Sequence, residues 1–226
     1  MKGKLYVVAG PSGVGKGTVC KELLRQRPQL GFSVSNITRD ARDYEIDGVH
    51  YNFMSEAEFL AKRDAGELLE FSRHNKGVWY GTPLKPVMDR IMAGQSVLLE
   101  IDDNGARQVI AKYPEAITVF VLPPDKKTLI RRLVYRCSDN LEQLIPRVQK
   151  MPGEFAAARD YDYLVLNDDV DASIRDMIDL YDGVYETPKA LYELLDRLVD
   201  EFADVDNTMD MLKSYYAEAH ADETED

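Results

Sequence analysis

The residues with the clearest chemical potential are Gly10-Pro-Ser-Gly-Val-Gly-Lys-Gly-Thr18. Gly10, Gly13 and Gly15 let backbone N–H groups turn inward at φ values that other residues avoid. The G-x-x-x-x-G-K spacing sets Lys16 to reach β- and γ-phosphates as a point charge. That composition serves phosphate binding, and Gly10 through Thr18 are the candidate triphosphate cradle: Gly10, Pro11, Ser12, Gly13, Val14, Gly15, Lys16, Gly17 and Thr18. The apolar run Leu5 to Ala9 before it reads as a buried strand, and Gly15 to Arg25 after it as a helix whose N-terminal dipole and orphan donors add to anion binding. A Gly-rich turn of no chemical consequence is the competing reading. Strand, helix and Lys16 in register weigh against it. Gly17 stands where the strict motif carries the Ser or Thr hydroxyl used on Mg²⁺.

Other candidate groups lie downstream, and the elements that must hold them alternate. Phe32 to Ser35 reads as a strand, followed by Arg39 and Arg42, the Asp47-Gly48 turn and Tyr51. Ser55-Glu-Ala-Glu58 has the form of a capping box. Leu68–Phe71, with Glu70, and Val78–Tyr80 read as two strands around Asn75-Lys-Gly77. Thr82-Pro83 opens a helix by the N-cap and N1 rule. Ser96 to Asp102 reads as a buried strand ending in acids, Gly105 to Tyr113 as a helix, and Ile117–Leu122 as a strand. Two helical stretches fill 125–160, separated by Ser138-Asp-Asn140, and Tyr163–Leu166 is a last strand running into Asn167. Strands alternating with helices predict an α/β fold, a parallel sheet flanked by helices. Ligands are expected beyond the strand C-termini, where loops 10–16, 102 and 167 converge.

Composition narrows the function classes. The 226 residues suit one large domain, or one plus an appendage. The apolar share of 45% is ordinary for a globular chain, and no apolar run approaches the ~18 residues of a membrane span. The expected first strand begins within a few residues of Met1, which leaves no room for a signal peptide. Cys20 and Cys137 form no metal or disulfide pattern and read as reduced thiols, so the expectation is a cytoplasmic protein. The net charge of −12 is unevenly divided: residues 183–226 hold 13 Asp/Glu against 3 Lys/Arg, and the remainder 27 against 25. The body is near neutral, the acidity sits in a C-terminal appendage, and no nucleic-acid surface is expected.

From about residue 4 to about 180 the chain resembles the guanylate kinases. The resemblance rests on residues 10–16, Ser-Val-Ser35-x-x-Thr-Arg39-x-x-Arg42, Tyr51-x-Phe53 and Glu70. It continues with Tyr80-Gly-Thr82, Ile101-Asp102, Arg136 and Arg147 eleven apart, and Asn167-Asp-Asp. It implies a P-loop nucleoside monophosphate kinase fold: a kinase domain over 1–182, with a small GMP-binding sheet subdomain at about 35–83 and a helical lid at about 125–160. It implies ATP and GMP as substrates, with dGMP beside GMP, and Mg²⁺ accompanying ATP. By similarity Ser35 and Thr82 meet guanine O6, Glu70 its N1–H and 2-amino donors, and Asp102 the 2-amino group. Arg39, Arg42, Tyr51 and Tyr80 clamp the GMP phosphate, and Asn167 lies beside adenine. Lys16, Arg39, Arg136 and Arg147 supply the catalytic positive charge. No metal ligand is assigned; Glu100 and Asp102 are the carboxylates that could enter the Mg²⁺ shell. Arg131, Arg132 and Arg159 stay open between solvated faces and site residues, and Trp79 and Phe53 read as core.

The chain departs from that pattern at Gly17, as in adenylate kinases, and at Glu100, where the family has Asp. Ala41 and Tyr44 replace Pro and Gly near the arginine pair, and Glu70 and Tyr80 are ten positions apart, one more than the family spacing. The largest departure is residues 183–226. After Thr187-Pro188, Leu191, Leu195, Leu198, Phe202, Val205, Met209 and Leu212 recur with 4,3 spacing. That is the pattern of a coiled-coil seam, hence a homodimer through this helix, or of a helix laid along its own kinase body. His220 to Asp226 is expected to be disordered. A non-catalytic guanylate kinase-like interaction module is the alternative function. It is expected to lack Lys16, Arg136 and Arg147. A sugar-phosphate kinase is expected to lack Ser35, Glu70, Thr82 and Asp102.

Overall fold

A computed structural model describes residues 2–73, 77–136 (the side chain of Arg136 excepted) and 140–221. In chain order its elements are β1 (Leu5–Ala9), α1 (Lys16–Gln26), β2 (Gly31–Phe32), β3 (Asn36–Ile37), β4 (Asn52–Phe53), α2 (Glu56–Asp64), β5 (Leu68–Arg73) and β6 (Trp79–Pro83). Then come α3 (Leu84–Met92), β7 (Val97–Glu100), α4 (Asp103–Lys112), β8 (Ile117–Leu122) and α5 (Lys126–Arg136). The last are α6 (Leu141–Ala157), β9 (Tyr163–Leu166), α7 (Val170–Asp182), α8 (Lys189–Ala203) and α9 (Val205–Ala219). The chain divides into two compact units, residues 1–9 with 24–118 and residues 10–23 with 119–226.

In the first unit β2, β7 and β1 lie side by side and parallel, Leu5 opposite Val97 and Val8 opposite Glu100. Every residue of β1 is buried. This explains why its sequence is a continuous apolar run: a parallel strand is covered on both faces. Each of Leu5, Val7 and Val8 removes its side chain wholly from water, a gain of about 1.5–3 kcal/mol apiece. A second sheet has the order β4-β3-β6-β5. In it β5 and β6 are antiparallel, Glu70 facing Thr82 and Ser72 facing Tyr80. The extra residue between Glu70 and Tyr80 therefore does not turn Tyr80 away, because positions 70 and 72 share a face with 80 and 82. Residues 74–76, including His74 and most of the Asn75-Lys-Gly77 turn, lie outside the described residues.

Local chemistry sets the helix starts. Ser55 and Glu58 form the reciprocal capping box. The start expected at Thr82-Pro83 is corrected: Pro83 is the N-cap, without a side-chain cap bond, and α3 begins at Leu84. Thr82 stays on β6, where its buried hydroxyl serves Glu70. Helix α4 begins two residues earlier than the expected Gly105 because Asp102 caps it, accepting from the Gly105 amide. The strand expected over 32–35 is corrected: β2 ends at Phe32, residues 33–35 are in no strand, and β3 begins at Asn36.

In the second unit β8 and β9 are parallel, Val119 opposite Tyr163. Phe120 packs edge-on against Tyr161 at 5.2 Å, and Phe155 stacks on Phe202 at 4.7 Å. Cys137 and residues 138–139 lie outside the described residues; Asn140 caps α6. The 4,3 pattern folds as two helices, not one. Asp204 adopts φ −79°, ψ 82° and its carboxylate accepts from the Asn207 amide, ending α8 and capping α9. A side chain able to hydrogen-bond the local backbone competes with the helix ladder there. Leu191, Leu195, Leu198, Phe202 and Leu212 are buried where α8 meets α6 and β9 and α9 meets α5 and α6. Val205, at the break, is 37% exposed. Helix α9 continues to Ala219, and His220 stacks on Tyr216 at 4.1 Å; residues 222–226 of the expected disordered end lie outside the described residues.

Candidate active site

The phosphate loop belongs to the second unit. Gly10, Gly13 and Gly15 have φ of 146°, 87° and 100°, the left-handed side of the map that favours glycine. Space is against a side chain as well, strictly at Gly10 and tightly at Gly13. A Cβ at Gly10 would lie 2.7 Å from the Val121 carbonyl oxygen, and one at Gly13 would lie 3.2 Å from the Leu133 backbone. Buried Val14 anchors the loop. Lys16, the first residue of α1, donates to the Gly10 and Pro11 carbonyls at 2.5 and 3.3 Å, so its ammonium spans the loop. Gly17 and Thr18 are exposed in the first turn of α1. Arg147 Nη1 reaches Ser12 Oγ at 3.4 Å, which brings a second cation to the loop. The side chain of Arg136 lies outside the described residues.

Loops 10–16 and 167 do meet. Asn167 is buried and donates from Nδ2 to the Val14 carbonyl at 2.7 Å, while its Oδ1 accepts from the Ser173 hydroxyl at 2.9 Å. Its backbone carbonyl accepts from Arg132 Nη1 at 2.7 Å. The Asn167 side chain thus holds the loop from behind. Of the three arginines left open, Arg132 is structural; Arg131 lies over the Tyr135 ring and Arg159 pairs with Asp196 at the surface.

The candidate base-reading residues belong to the first unit. Glu70 on β5 is only 4% exposed and accepts from Thr82 Oγ1 at 2.6 Å across the β5–β6 pair. Asp102 accepts from the Ser72 hydroxyl at 2.9 Å and from the Gly105 amide at 2.8 Å, and Asn104 donates to Ser72 Oγ at 3.1 Å. Ser35 holds β4 through its carbonyl, which accepts from the Asn52 amide. Gly105 makes the arrangement possible: a Cβ there would stand 2.6 Å from Glu70 Oε2. Gly105→Ala is therefore expected to raise KM for GMP about 10- to 100-fold by displacing the carboxylate. The chain should remain folded, since Ala favours the α4 helix by about 1 kcal/mol over Gly. Steady-state kinetics beside a melting curve checks both.

A guanylate kinase family model matches residues 2–182. The chain belongs to the guanylate kinase family. Curated guanylate kinases agree. That of Carboxydothermus hydrogenoformans is 46% identical over 176 residues, 78% of this chain and 86% of the relative. That of Thermobifida fusca is 47% identical over 167 residues, 74% and 85% of the two chains. The crystal structure of guanylate kinase from Anaplasma phagocytophilum matches with a TM-score of 0.66 at 29% identity, over 86% of this chain and 94% of that one. The guanylate kinase match ends where α7 ends, so α8 and α9 are additions to the family domain.

The candidate phosphate clamp of this guanylate kinase family member contains a residue that sequence reasoning missed. Arg39 donates to both Glu45 oxygens, at 2.6 and 2.7 Å, and Glu45 also accepts from the Arg42 amide at 2.9 Å. The guanidinium lies 5.5 Å from the Tyr51 ring and 5.8 Å from Phe53, and Tyr51 packs edge-on to Tyr80 at 6.1 Å. Arg42 donates to Tyr44 at 2.9 Å. The Arg39 hydrogen bonds hold the Glu45 carboxyl down from 4.5 to about 2, and burial pushes the Tyr51 phenol up. A depressed carboxyl contributes stability that is whole above the unfolded pKa and lost as pH falls through the folded one. The stability gap between wild type and Glu45→Gln should thus be constant above about pH 4.5 and close between there and pH 2; urea unfolding at stepped pH reads it. The only signal in sequence was an acid three residues past Arg42. Ser72, Gly105 and Ser173 were likewise missed, since each acts through a contact distant in the chain.

Trp79, expected in the core, is half-buried and makes structural contacts. It stacks on Phe59 at 5.8 Å, carries Arg63 and Arg73 over its ring, and donates to Glu56.

Proposed function

We propose that residues 1–182 form a guanylate kinase domain that transfers the ATP γ-phosphoryl group to GMP, giving ADP and GDP, with residues 35–83 binding GMP and 125–160 forming the lid. The observation that carries this reading is the buried Glu70–Thr82 pair in a chain that also holds the Lys16 loop. Guanine offers N1–H and a 2-amino group side by side, and one carboxylate accepts both. The Thr82 hydroxyl, which now donates to Glu70, is then released toward O6 with Ser35. Adenine has an acceptor at N1 and no 2-amino group, and would leave Glu70 desolvated and unpaired. We place dGMP beside GMP as an acceptor.

An oxygen of the GMP phosphate attacks Pγ as the bond from Pγ to the bridging oxygen breaks and ADP leaves. Such a transfer asks the protein for in-line placement and charge neutralisation. Arg39, with Arg42, Tyr51 and Tyr80, orients the acceptor phosphate; Lys16 and Arg147, with Arg136 by family resemblance, supply positive charge to the migrating group, and lid closure keeps water from Pγ. The described residues hold no group of three or more His, Cys, Asp or Glu fit for a metal ion. With Gly17 in place of a hydroxyl, Mg²⁺ would be held chiefly through phosphate oxygens and water, and Glu100 and Asp102 are the carboxylates we propose for its outer shell. When bound it neutralises β- and γ-phosphate charge.

The test is coupled ADP release with GMP, dGMP, AMP and ribose 5-phosphate. Turnover with GMP and dGMP alone is expected; turnover independent of acceptor, or none with any, overturns the reading. The non-catalytic module reading is not favoured, because Lys16 and Arg147 are both at the loop. Among the described residues no helix is long and apolar enough to cross a membrane, and a cytoplasmic setting suits both substrates. A homodimer seam would need the buried 4,3 residues to face outward, so we propose a monomer; sedimentation at twice the monomer mass would refute it.

A further inference from the structure

Helices α8 and α9 lie beyond the residues that match the guanylate kinase family, yet they pack on α5 and α6. The join is specific. Lys126, the first residue of α5, is only 6% exposed. Its ammonium donates to the Glu201 carbonyl of α8 at 2.8 Å and to Asn207 Oδ1 of α9 at 3.0 Å. It also lies 5.5 Å from the ring of Phe202, which stacks on Phe155 of α6. A cation at a helix N-terminus opposes the helix dipole, and a buried ammonium is unfavourable unless acceptors meet it. Every acceptor shown for this ammonium comes from the added helices. Burial depresses the Lys126 pKa accordingly.

The far end of α5 stands behind the phosphate loop. The Leu133 backbone is the wall that a Cβ at Gly13 would strike. One residue earlier, Arg132 donates to the carbonyls of Asn167 and Asp168, and Asn167 holds Val14. One rigid helix thus joins the added segment at its first residue to the loop at its last two turns.

We propose that α8 and α9 position the phosphate loop through α5, with Lys126 and Asn207 as positioning residues for ATP. The inference rests on the reading of the loop as the ATP site. A segment that merely stabilised the fold would lower the melting temperature and leave nucleotide affinity alone. A segment that positions the loop changes adenine nucleotide affinity and spares GMP, whose candidate contacts lie in the other unit.

The experiment uses the full chain and the variants Lys126→Met and Asn207→Ala. It measures ADP and GMP dissociation constants by calorimetry, KM for ATP, and melting. Expected is a rise of about three- to tenfold in the ADP dissociation constant and in KM for ATP for Lys126→Met. A smaller rise, at least about twofold, is expected for Asn207→Ala, with GMP affinity within about twofold of wild type. Asn207 is exposed, so its variant carries the test if Lys126→Met fails to fold. Unchanged ADP affinity overturns the proposal whatever the melting temperature does, and so does an equal loss of ADP and GMP binding. Wild-type protein that binds no ADP refutes the loop assignment itself, a distinct result.

Discussion

Glu70→Ala is expected to lower kcat/KM for GMP by about 10²- to 10⁴-fold while leaving KM for ATP unchanged. The magnitude follows from what is orphaned. On the proposed reading guanine brings two donors to Glu70, and each buried donor left unpaired costs about 1–3 kcal/mol. The Thr82 hydroxyl, now bonded to Glu70 at 2.6 Å, loses its acceptor as well. Selectivity should fall with rate: the GMP-to-AMP ratio of kcat/KM should contract, because removing the carboxylate harms the guanine complex and relieves the adenine one. Competition assays with both acceptors read that ratio directly. A decline of less than about fivefold would place guanine recognition elsewhere in the chain. Glu70→Gln sharpens the test, since it keeps the volume and replaces one acceptor by a donor facing a donor.

The second large effect is expected at Lys16. Lys16→Met should reduce kcat by about 10²- to 10⁴-fold, the range for removing a preorganised charge from a site of charge development. Its effect on GMP affinity should be small, because the candidate GMP contacts belong to the other unit. The ammonium also ties the Gly10 and Pro11 carbonyls together. Some loss of loop order is therefore expected beside the electrostatic loss. Comparing ADP affinity with single-turnover rate separates the two: loosening shows in both, charge loss chiefly in the rate. A rate within tenfold of wild type would remove Lys16 from the chemistry.

What could be read in advance depended on how local its cause is. The β1 run, the glycine spacing and the Ser55–Glu58 box are each decided within a few residues, and each stands where the sequence reading put it. Glu70 and Thr82 could be named through family likeness, but their bond needs the β5–β6 register, a long-range matter. Glu45 was invisible because an acid in a polar loop looks solvated until Arg39 folds over it. The C-terminal break escaped for another reason. A 4,3 spacing persists across a helix–turn–helix as readily as along one rod, and only Asp204 acting as a cap shows that the chain bends there. Asn167 was likewise ambiguous: a turn residue, a ligand contact and a strut for Val14 leave the same letter in the sequence.

The walls behind the phosphate loop bear on how such motifs should be used as markers of descent. Gly10 and Gly13 are held to glycine by their positive φ and by the Val121 carbonyl and the Leu133 backbone at their backs. A descendant of this enzyme that abandoned catalysis would therefore still be held to both glycines by backbone conformation and packing alone. Its Lys16, a flexible side chain whose ammonium serves the phosphates, would be freer to drift. In a genome survey of this fold, the lysine separates working kinases from retired ones, and the glycines do not.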